Sequence, residues 1–212
     1  MTVCDYYLIT HEHLDHLDPG TVSAVAERSG RTRFVAPACC HPSLLELGVR
    51  PDRLYRAATD RVLRFDDVEI VPIPAAHETL EEDPVMGHRW VGYIIRLNGV
   101  TLYHAGDTVV YPGLVERLKA EKIQVGMLPI NGGDFFRRNG GIVGNMGYRE
   151  AAELAYAAGF DMTIPLHYDV FAFNGERPGY FADYCHERFP YLKYHIMARA
   201  ERFIFVGDQS GI

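Results

Sequence analysis

The segment from Ile9 to His16 constrains this chain more than any other. It reads Ile-Thr-His-Glu-His-Leu-Asp-His, which places three imidazoles and the carboxylate of Asp15 within six residues, directly after an apolar stretch. In an extended segment His11 and His13 point the same way, because they are two positions apart. Asp15 and His16 follow where the chain must turn and can face the same space from another side. Zinc, manganese and iron accept these ligand types, so the segment predicts half of a two-metal site. A solvated polar loop is the alternative interpretation.

Length and charge limit the possible classes. The chain of 212 residues fits one domain over residues 1–212, or at most two small ones. Its net charge of −7 argues against a nucleic-acid partner, which would require a basic face, but it allows a small anionic substrate. We find no apolar run of the ~18–20 residues that span a bilayer and no signal peptide, so we expect a cytoplasmic protein without a membrane partner. The cysteines lack C-x-x-C spacing and are expected to be reduced thiols: Cys4, Cys39, Cys40 and Cys185.

Strand-like and helix-like periodicities alternate along most of the chain. The clearest hairpin turns at Asn98-Gly99, and the long Gly-rich segment Asn131–Gly147 is predicted to be a functional loop. The predicted strands are Val3–Ile9, Arg33–Ala36, Val62–Phe65, Val68–Ile73, Val91–Leu97, Val100–His104, Val125–Ile130, Met162–Leu166 and Phe203–Val206. The predicted helices are Thr21–Arg28, Pro42–Leu47, Leu114–Lys122, Tyr148–Ala158 and a segment near Tyr180–Phe189.

Three further ligand-type residues each follow a predicted strand. His77 follows Val-Pro-Ile-Pro-Ala-Ala, Asp107 follows His-Ala-Gly, and His167 follows Thr-Ile-Pro-Leu. Loops held by a rigid sheet are where metal and catalytic groups usually lie. Each residue alone could be structural, but together with the first cluster they form a consistent ligand set.

These motifs resemble those of the metallo-β-lactamase superfamily. The resemblance rests on His-x-His-x-Asp-His, a later lone histidine, a Gly-Asp after a strand and a final histidine after a strand. More narrowly, the chain resembles the branch that contains the L-ascorbate-6-phosphate lactonases. The stretches that carry the narrower likeness are Tyr103–Thr108, Leu128–Met146 and Ile164–Asn174.

The resemblance implies an α/β fold, an αβ/βα sandwich with the metals at one edge of two sheets. It implies one or two divalent ions, manganese or zinc, held by two ligand sets. By position, the first set is His11, His13 and His77; the second is Asp15, His16 and His167; and Asp107 bridges them. Relatives carry several strands before the histidine cluster, whereas only a short segment precedes it here. We therefore expect the fold to lack its usual N-terminal strands and the uncovered sheet to favour a homo-oligomer.

The expected chemistry is attack by metal-activated hydroxide on a small anionic ester or lactone, with a sugar-phosphate lactone such as L-ascorbate 6-phosphate as the best single prediction. Asp15 is predicted to orient the nucleophile and accept its proton, and His104 or Tyr168 to protonate the leaving oxygen. Arg137 and Arg138 are predicted to bind substrate anions, in a loop that also contains Asn131 and Asn145. The alternatives are a phosphodiesterase, a thiolesterase, or a non-catalytic or incomplete subunit.

Overall fold

The computed structural model of the chain describes residues 4–207. Its strands are β1 (Tyr6–Leu8), β2 (Arg33–Ala36), β3 (Leu54–Arg56), β4 (Leu63–Arg64), β5 (Val68–Pro74), β6 (Glu82–Asp83), β7 (Gly87–His88), β8 (Val91–Leu97), β9 (Val100–His104), β10 (Val125–Pro129) and β11 (Met162–Leu166). Its α-helices are α1 (Pro19–Arg28), α2 (His41–Glu46), α3 (Leu114–Glu121), α4 (Phe135–Asn139), α5 (Tyr148–Ala158) and α6 (Pro178–Arg188). Among the described helices, none has both the length and the apolar character needed to cross a membrane.

The strands form two main sheets and a small hairpin. The first sheet has the order β1-β2-β3 and is parallel, whereas the second has the order β11-β10-β9-β8-β5-β4 and is mixed. Within the second sheet, β9, β10 and β11 are parallel neighbours and β4, β5, β8 and β9 pair antiparallel. The β8–β9 hairpin turns at Asn98-Gly99, where both residues have positive φ, as the sequence predicts. Strands β6 and β7 pair with each other alone.

Side-chain alternation along the strands builds the layers. Phe34 packs with α1 and α2 on one face of the first sheet, and its neighbour Val35 packs between the two sheets. On the second sheet Tyr93 points into the intersheet core, and Ile94 points toward α3, α5 and α6. The order is therefore helices, sheet, sheet, helices, and the predicted αβ/βα sandwich is confirmed.

One predicted element is wrong. The segment 203–206 was expected to close the chain as a strand, but the structure forms no strand there. Ile204 and Val206 are exposed. The outer edge of β11 is instead met by the segment around Tyr194, which makes an isolated bridge to Thr163. An apolar, β-prone run does not become a strand where the neighbouring edge is already paired.

Other differences concern boundaries. The predicted strand from Val3 to Ile9 is described only as β1, and Val3 lies outside the described residues. The loop 131–147 contains the short helix α4, and α6 begins at Pro178 rather than near Tyr180. Proline at the first helical position explains the earlier start of α6, because its missing N–H needs no partner there.

Candidate metal centre

The metal-ligand motif occupies a tight turn after the first strand. The N–H groups of His16 and Leu17 both donate to the carbonyl oxygen of His13, at 2.9 and 2.7 Å. This turn reverses the chain and brings Asp15 and His16 back beside His11. Helix α1 then begins at once, capped by Asp18, whose carboxylate accepts from the N–H of Thr21 at 2.6 Å.

Three histidines form the first half of the centre, which we call the imidazole group: His11, His13 and His77. Nε2 of His11 lies 3.1 Å from Nδ1 of His13, and His77 stands at the end of β5 with its ring centroid 5.1 Å from that of His13. One ring nitrogen from each of the three histidines lies within 4.8 Å of the others. Burial lowers the pKa of His11 to about 2 and also lowers the pKa of His77, so both rings are neutral at neutral pH.

The second half, which we call the carboxylate group, joins two acids to two histidines: Asp15, His16, Asp107 and His167. His16 Nε2 lies 3.4 Å from Asp15 Oδ2 and 3.2 Å from Asp107 Oδ1. His167 Nε2 lies 3.2 Å from Asp15 Oδ2 and 3.4 Å from Asp107 Oδ2. Asp107 Oδ2 is also 3.8 Å from His77 Nε2, so this carboxylate touches both groups.

Opposing effects set the protonation of the carboxylate group. Burial by itself would lower the histidine pKa values, but the two carboxylates outweigh it and raise the pKa of His16 to about 9 and of His167 to about 10. Conversely, burial would raise the pKa values of Asp15 and Asp107, but contact with the two imidazoles lowers both. The metal-free group therefore holds two imidazolium rings against two carboxylates at neutral pH.

A buried hydroxyl orients two of the ligands. Thr10 Oγ1 lies 3.0 Å from Nδ1 of His11 and 3.0 Å from Nδ1 of His16. A hydroxyl oxygen can accept both N–H groups, so the Nε2 lone pair of His11 is free for a metal ion, and that of His16 becomes free once the ring has lost its Nε2 proton. Nδ1 of His77 is similarly placed, 3.3 Å from the carbonyl oxygen of Gly144. Sequence reasoning quoted Thr10 within the motif but gave it no role.

Backbone conformation also positions two ligands. Gly106, just before Asp107, has a φ of +63°, and a Cβ there would lie 2.9 Å from the carbonyl oxygen of Val91 and 3.0 Å from Thr10. A larger residue at position 106 would thus push Val91, at the start of β8, away from Thr10 in the metal-ligand motif. His167 itself has a φ of 56°, an uncommon conformation for a residue other than glycine and one that collects at functional sites.

The residues present fit one or two divalent metal ions. Three imidazole nitrogens converge in the imidazole group, while the carboxylate group supplies both nitrogen and oxygen donors. Each group offers three or four His and Asp side chains, which are ligands that zinc, manganese and iron all accept. The ligand types do not distinguish among these metals.

Two small pockets open onto the centre and share Asp15, Asp107 and His167. The first, the His104 pocket, has a volume of about 230 Å³ and is also lined by His16, His104, Gly106, Pro129, Leu166 and Val170. The second, the Asn174 pocket, has a volume of about 210 Å³ and is also lined by His13, His77, Gly141, Ile142, Val143, Phe171, Phe173 and Asn174. The linings, as far as the chain is described, contain neither lysine nor arginine.

The two candidate acids are placed differently. His104 ends β9 and lines its pocket, and its Nδ1 accepts a hydrogen bond from the N–H of Gly106 at 3.1 Å. Burial lowers the pKa of His104 to about 4, so the ring is neutral and its proton lies on Nε2. Tyr168 instead donates its hydroxyl to the carbonyl oxygen of Met197 at 3.1 Å and lines a separate surface pocket.

The predicted anion-binding arginines contact the protein itself. The guanidinium of Arg137 donates to the carbonyl oxygens of Asn131 and of Gly175, the latter at 2.8 Å. Arg138 donates to the carboxylate of Glu78 at 2.9 Å. Neither lines a pocket at the centre. Both guanidinium groups are paired with protein acceptors in this structure, and the arginine clamp stays a prediction.

The two predicted asparagines belong to a buried chain of side-chain amides. Asn145 Nδ2 donates to Asn131 Oδ1 at 3.1 Å, and Asn131 Nδ2 donates to Asn174 Oδ1 at 3.2 Å. Asn131 and Asn145 do not line the pockets, whereas Asn174 does. Sequence reasoning placed Asn174 at the end of the lactonase-like stretch but did not select it, although an Asn-Gly pair in a loop near a ligand histidine could have drawn attention to it.

Comparison with known sequences gives consistent matches. A model of the β-lactamase superfamily domain matches residues 1–168. A metal-dependent hydrolase of Pyrococcus furiosus is 37% identical over 171 residues, which cover 78% of this chain and 67% of that protein. The probable L-ascorbate-6-phosphate lactonase of Escherichia fergusonii is 25% identical over 181 residues, covering 79% of this chain and 50% of that protein.

Comparison with solved structures shows the same fold. A metallo hydrolase from Ignicoccus hospitalis superimposes with a TM-score of 0.75 at 22% identity, covering 96% of this chain and 80% of that one. The fold, the domain match and the shared identity agree with the ligand geometry. The chain belongs to the metallo-β-lactamase superfamily.

Proposed function

We propose that this protein is a metal-dependent hydrolase that opens small lactones or esters at the carbonyl carbon. The observation that carries the proposal is the junction of the two ligand groups through Asp107, which lines both small pockets at the centre. The Pyrococcus furiosus relative is itself named a metal-dependent hydrolase, which supports the reaction class. The identity of the ion and the number of ions belong to the proposal.

The imidazole group would hold one ion and the carboxylate group would hold a second. Asp107 contacts residues of both groups. A divalent ion, when bound, supplies a Lewis acid and lowers the pKa of water from 15.7 toward ~7. The protein's own contribution begins with Asp15. Its side chain is only 16% exposed, yet it lines both pockets, so its carboxylate can orient the attacking water and receive its proton.

His104 is placed to assist the departing oxygen. Because Nδ1 accepts from Gly106, Nε2 carries the proton and can donate a hydrogen bond to an oxygen in the His104 pocket. The attack forms a bond from the water oxygen to the carbonyl carbon, and the ring or ester C–O bond then breaks. The proton taken up by Asp15 passes to the released alkoxide oxygen. The new carboxylic acid then ionises and releases the second proton of the attacking water to solvent, so the products are an alcohol, a carboxylate and a proton.

The pockets favour a substrate whose remainder is uncharged. Ile142, Val143, Phe171 and Phe173 form an apolar wall in the Asn174 pocket. A sugar-phosphate lactone, as the resemblance predicts, would need a site for its phosphate, and Arg137 and Arg138 are engaged elsewhere. Apolar walls with few polar groups are typical of small-molecule sites. We therefore extend the proposal to neutral lactones and esters and keep the phosphorylated lactone as the competing substrate.

The test begins with elemental analysis of protein purified without chelator, followed by a substrate panel. The panel contains a phenyl-substituted lactone, a sugar-phosphate lactone, a phosphodiester and a thiolester. We expect bound divalent metal, fastest turnover of the neutral lactone, loss on chelation and recovery with manganese or zinc. Fastest turnover of the phosphodiester or the thiolester would replace the proposal with that activity.

Asp15→Ala provides the sharper test. Loss of a positioned base costs ~10²–10⁴-fold in rate, so turnover should fall by that amount. Asp66→Ala removes an exposed carboxylate outside both pockets and is the matched control, with turnover expected to stay at the wild-type value. Unchanged turnover in Asp15→Ala would reject the assigned mechanism.

A further inference from the structure

We propose that Asn174 is a substrate-contacting residue whose side-chain N–H donates a hydrogen bond to the carbonyl oxygen under attack. The inference deepens the proposed hydrolase function and rests on it. It assigns to Asn174 the stabilisation of the oxygen on which negative charge develops.

The first observation is the composition of the Asn174 pocket. Its polar lining side chains are His13, Asp15, His77, Asp107, His167 and Asn174. All of these except Asn174 belong to the two metal-ligand groups. Among the described residues, Asn174 is thus the one polar side chain of this pocket that is not committed to a metal ion. The other side chains, Ile142, Val143, Phe171 and Phe173, have no hydrogen-bonding atoms.

The second observation is the direction of the buried amide chain. Asn174 Oδ1 accepts from Asn131 Nδ2, and Asn131 Oδ1 in turn accepts from Asn145 Nδ2. With its oxygen used in this way, Asn174 keeps two N–H donors on Nδ2. No acceptor from the described part of the chain bonds them, although the residue is only 8% exposed. Nδ2 itself keeps access to solvent, so water can pair with it in the free protein and a ligand oxygen in the filled pocket can replace that water.

The third observation is how firmly the loop holds Asn174. Its backbone N–H donates to the carbonyl oxygen of Phe171 at 3.1 Å, and the N–H of Glu176 closes the loop onto the carbonyl oxygen of Tyr168 at 2.9 Å. Arg137 donates to the carbonyl oxygen of the next residue, Gly175, at 2.8 Å. A Cβ at Gly175 would lie 2.8 Å from the Tyr168 carbonyl oxygen, so the tight loop requires glycine. The donor is therefore fixed before substrate binds.

A fixed donor suits this role because it needs no reorganisation as charge develops. Removing one such donor from an oxyanion site typically lowers kcat by ~10²–10³-fold. Arg137, which sequence reasoning assigned to the substrate, acts in this scheme as a positioning residue for the Asn174 loop.

The experiment compares Asn174→Ala and Asn174→Asp with wild type, and uses Asn139→Asp as the control for the added charge. Asn139 is exposed and lies in neither pocket. Both Asn174 variants are expected to lower kcat for the neutral lactone by ~10²–10³-fold, with KM nearly unchanged. Metal content of both variants is expected to match wild type. Asn174→Ala is expected to unfold at a lower temperature because Asn131 loses its buried acceptor, whereas Asn174→Asp keeps an acceptor oxygen, so a kcat loss shared by both variants separates this role from a structural one.

Asn174→Asp distinguishes the donor from the acceptor. An aspartate keeps the oxygen but loses the N–H, so full activity in this variant would show that the amide presents its oxygen and would overturn the inference. Wild-type kcat in Asn174→Ala would overturn it as well. Asn139→Asp is expected to behave as wild type.

Binding of phenylphosphonate to the metal-loaded proteins provides a readout that does not depend on turnover. Its tetrahedral oxyanion imitates the charge that the donor should contact, so we expect the Kd to rise at least tenfold in Asn174→Ala. If wild type hydrolysed no member of the panel, the proposed function would fail, but weaker phenylphosphonate binding in the variant would still support the donor. Equal binding by wild type and variant, or none by either, would reject it.

Discussion

The imidazole group and the carboxylate group lie side by side but solve the problem of metal binding differently. Burial lowers the pKa of His11 and of His77 in the imidazole group, so these two rings are neutral at neutral pH. In the other group each imidazole lies between two carboxylates, which hold a proton on the ring when no metal is present. The imidazole group is therefore ready to bind, whereas the carboxylate group must exchange protons for metal.

This difference determines which residue matters most. Among the residues that the structure describes, Asp107 is the carboxylate that touches both groups, since it lies near His16 and His167 and also 3.8 Å from His77. Asp15 contacts only the carboxylate group. A change at Asp107 should thus affect the whole centre, and a change elsewhere should affect one half.

The largest effect is expected for Asp107→Asn. The amide keeps the shape but removes the buried charge, so both groups should lose metal affinity and turnover should fall at least ~10³-fold. Metal content after dialysis and kcat on the neutral lactone measure the effect. His13→Ala is the comparison, because it should weaken only the imidazole group. A protein with Asp107→Asn that kept full metal content would break the proposed link between the halves.

The pH dependence of metal binding should separate the groups. In the metal-free protein the pKa of His16 is about 9 and that of His167 about 10, so both rings are protonated at neutral pH and must lose their protons to bind through Nε2. Affinity for the carboxylate group should therefore rise with pH, by about tenfold per unit for each proton displaced. The pKa of His11 is about 2, and that of His77 is also lowered, so neither of these two ligands of the imidazole group holds a proton that a metal ion must displace between about pH 6.5 and about pH 8.5.

Zinc titration calorimetry in buffers of different ionisation enthalpy measures this directly. Near neutral pH we expect one binding phase that releases about two protons and another that releases almost none. Equal proton release in both phases would show that the two groups do not differ in the number of protons that metal binding displaces.

The same two groups show what a sequence can reveal about such a centre. The ligands could be predicted because they lie in one local motif or directly after strands, and those strands end at the same edge of the sandwich. The strand at 203–206 could not be rejected from its residues, since the bridge between Thr163 and Tyr194 that occupies the edge is a tertiary feature. The role of Thr10 was similarly hidden, because its hydroxyl lies beside both His11 and His16, and His16 reaches it only after the chain turns.

The protein partners of the arginines were hidden for the same reason. Arg137 and Arg138 are adjacent in a glycine-rich loop, a pattern that predicts an anion site. Their acceptors include Gly175 and Glu78, which lie 38 and 60 positions away in the chain. Those partners cannot be inferred from spacing, nor can the route by which Arg137 supports Asn174.

The smallest expected effects come from these two arginines and test whether either binds substrate. Arg137 is 19% exposed and donates to two backbone carbonyl oxygens, so Arg137→Ala should lower the free energy of unfolding by about 1–3 kcal/mol. Arg138 is 57% exposed and pairs with one carboxylate, and Arg138→Ala should cost about 1 kcal/mol or less. Because loosening the Asn174 loop impairs any substrate, Arg137→Ala should slow neutral and phosphorylated lactones by the same factor, and Arg138→Ala should slow neither. Denaturant unfolding and kcat/KM on the two lactones provide the measurements. A rise in KM for the phosphorylated lactone alone, in either variant, would show that the arginine binds the phosphate. The phosphorylated lactone would then replace the neutral lactone as the proposed substrate.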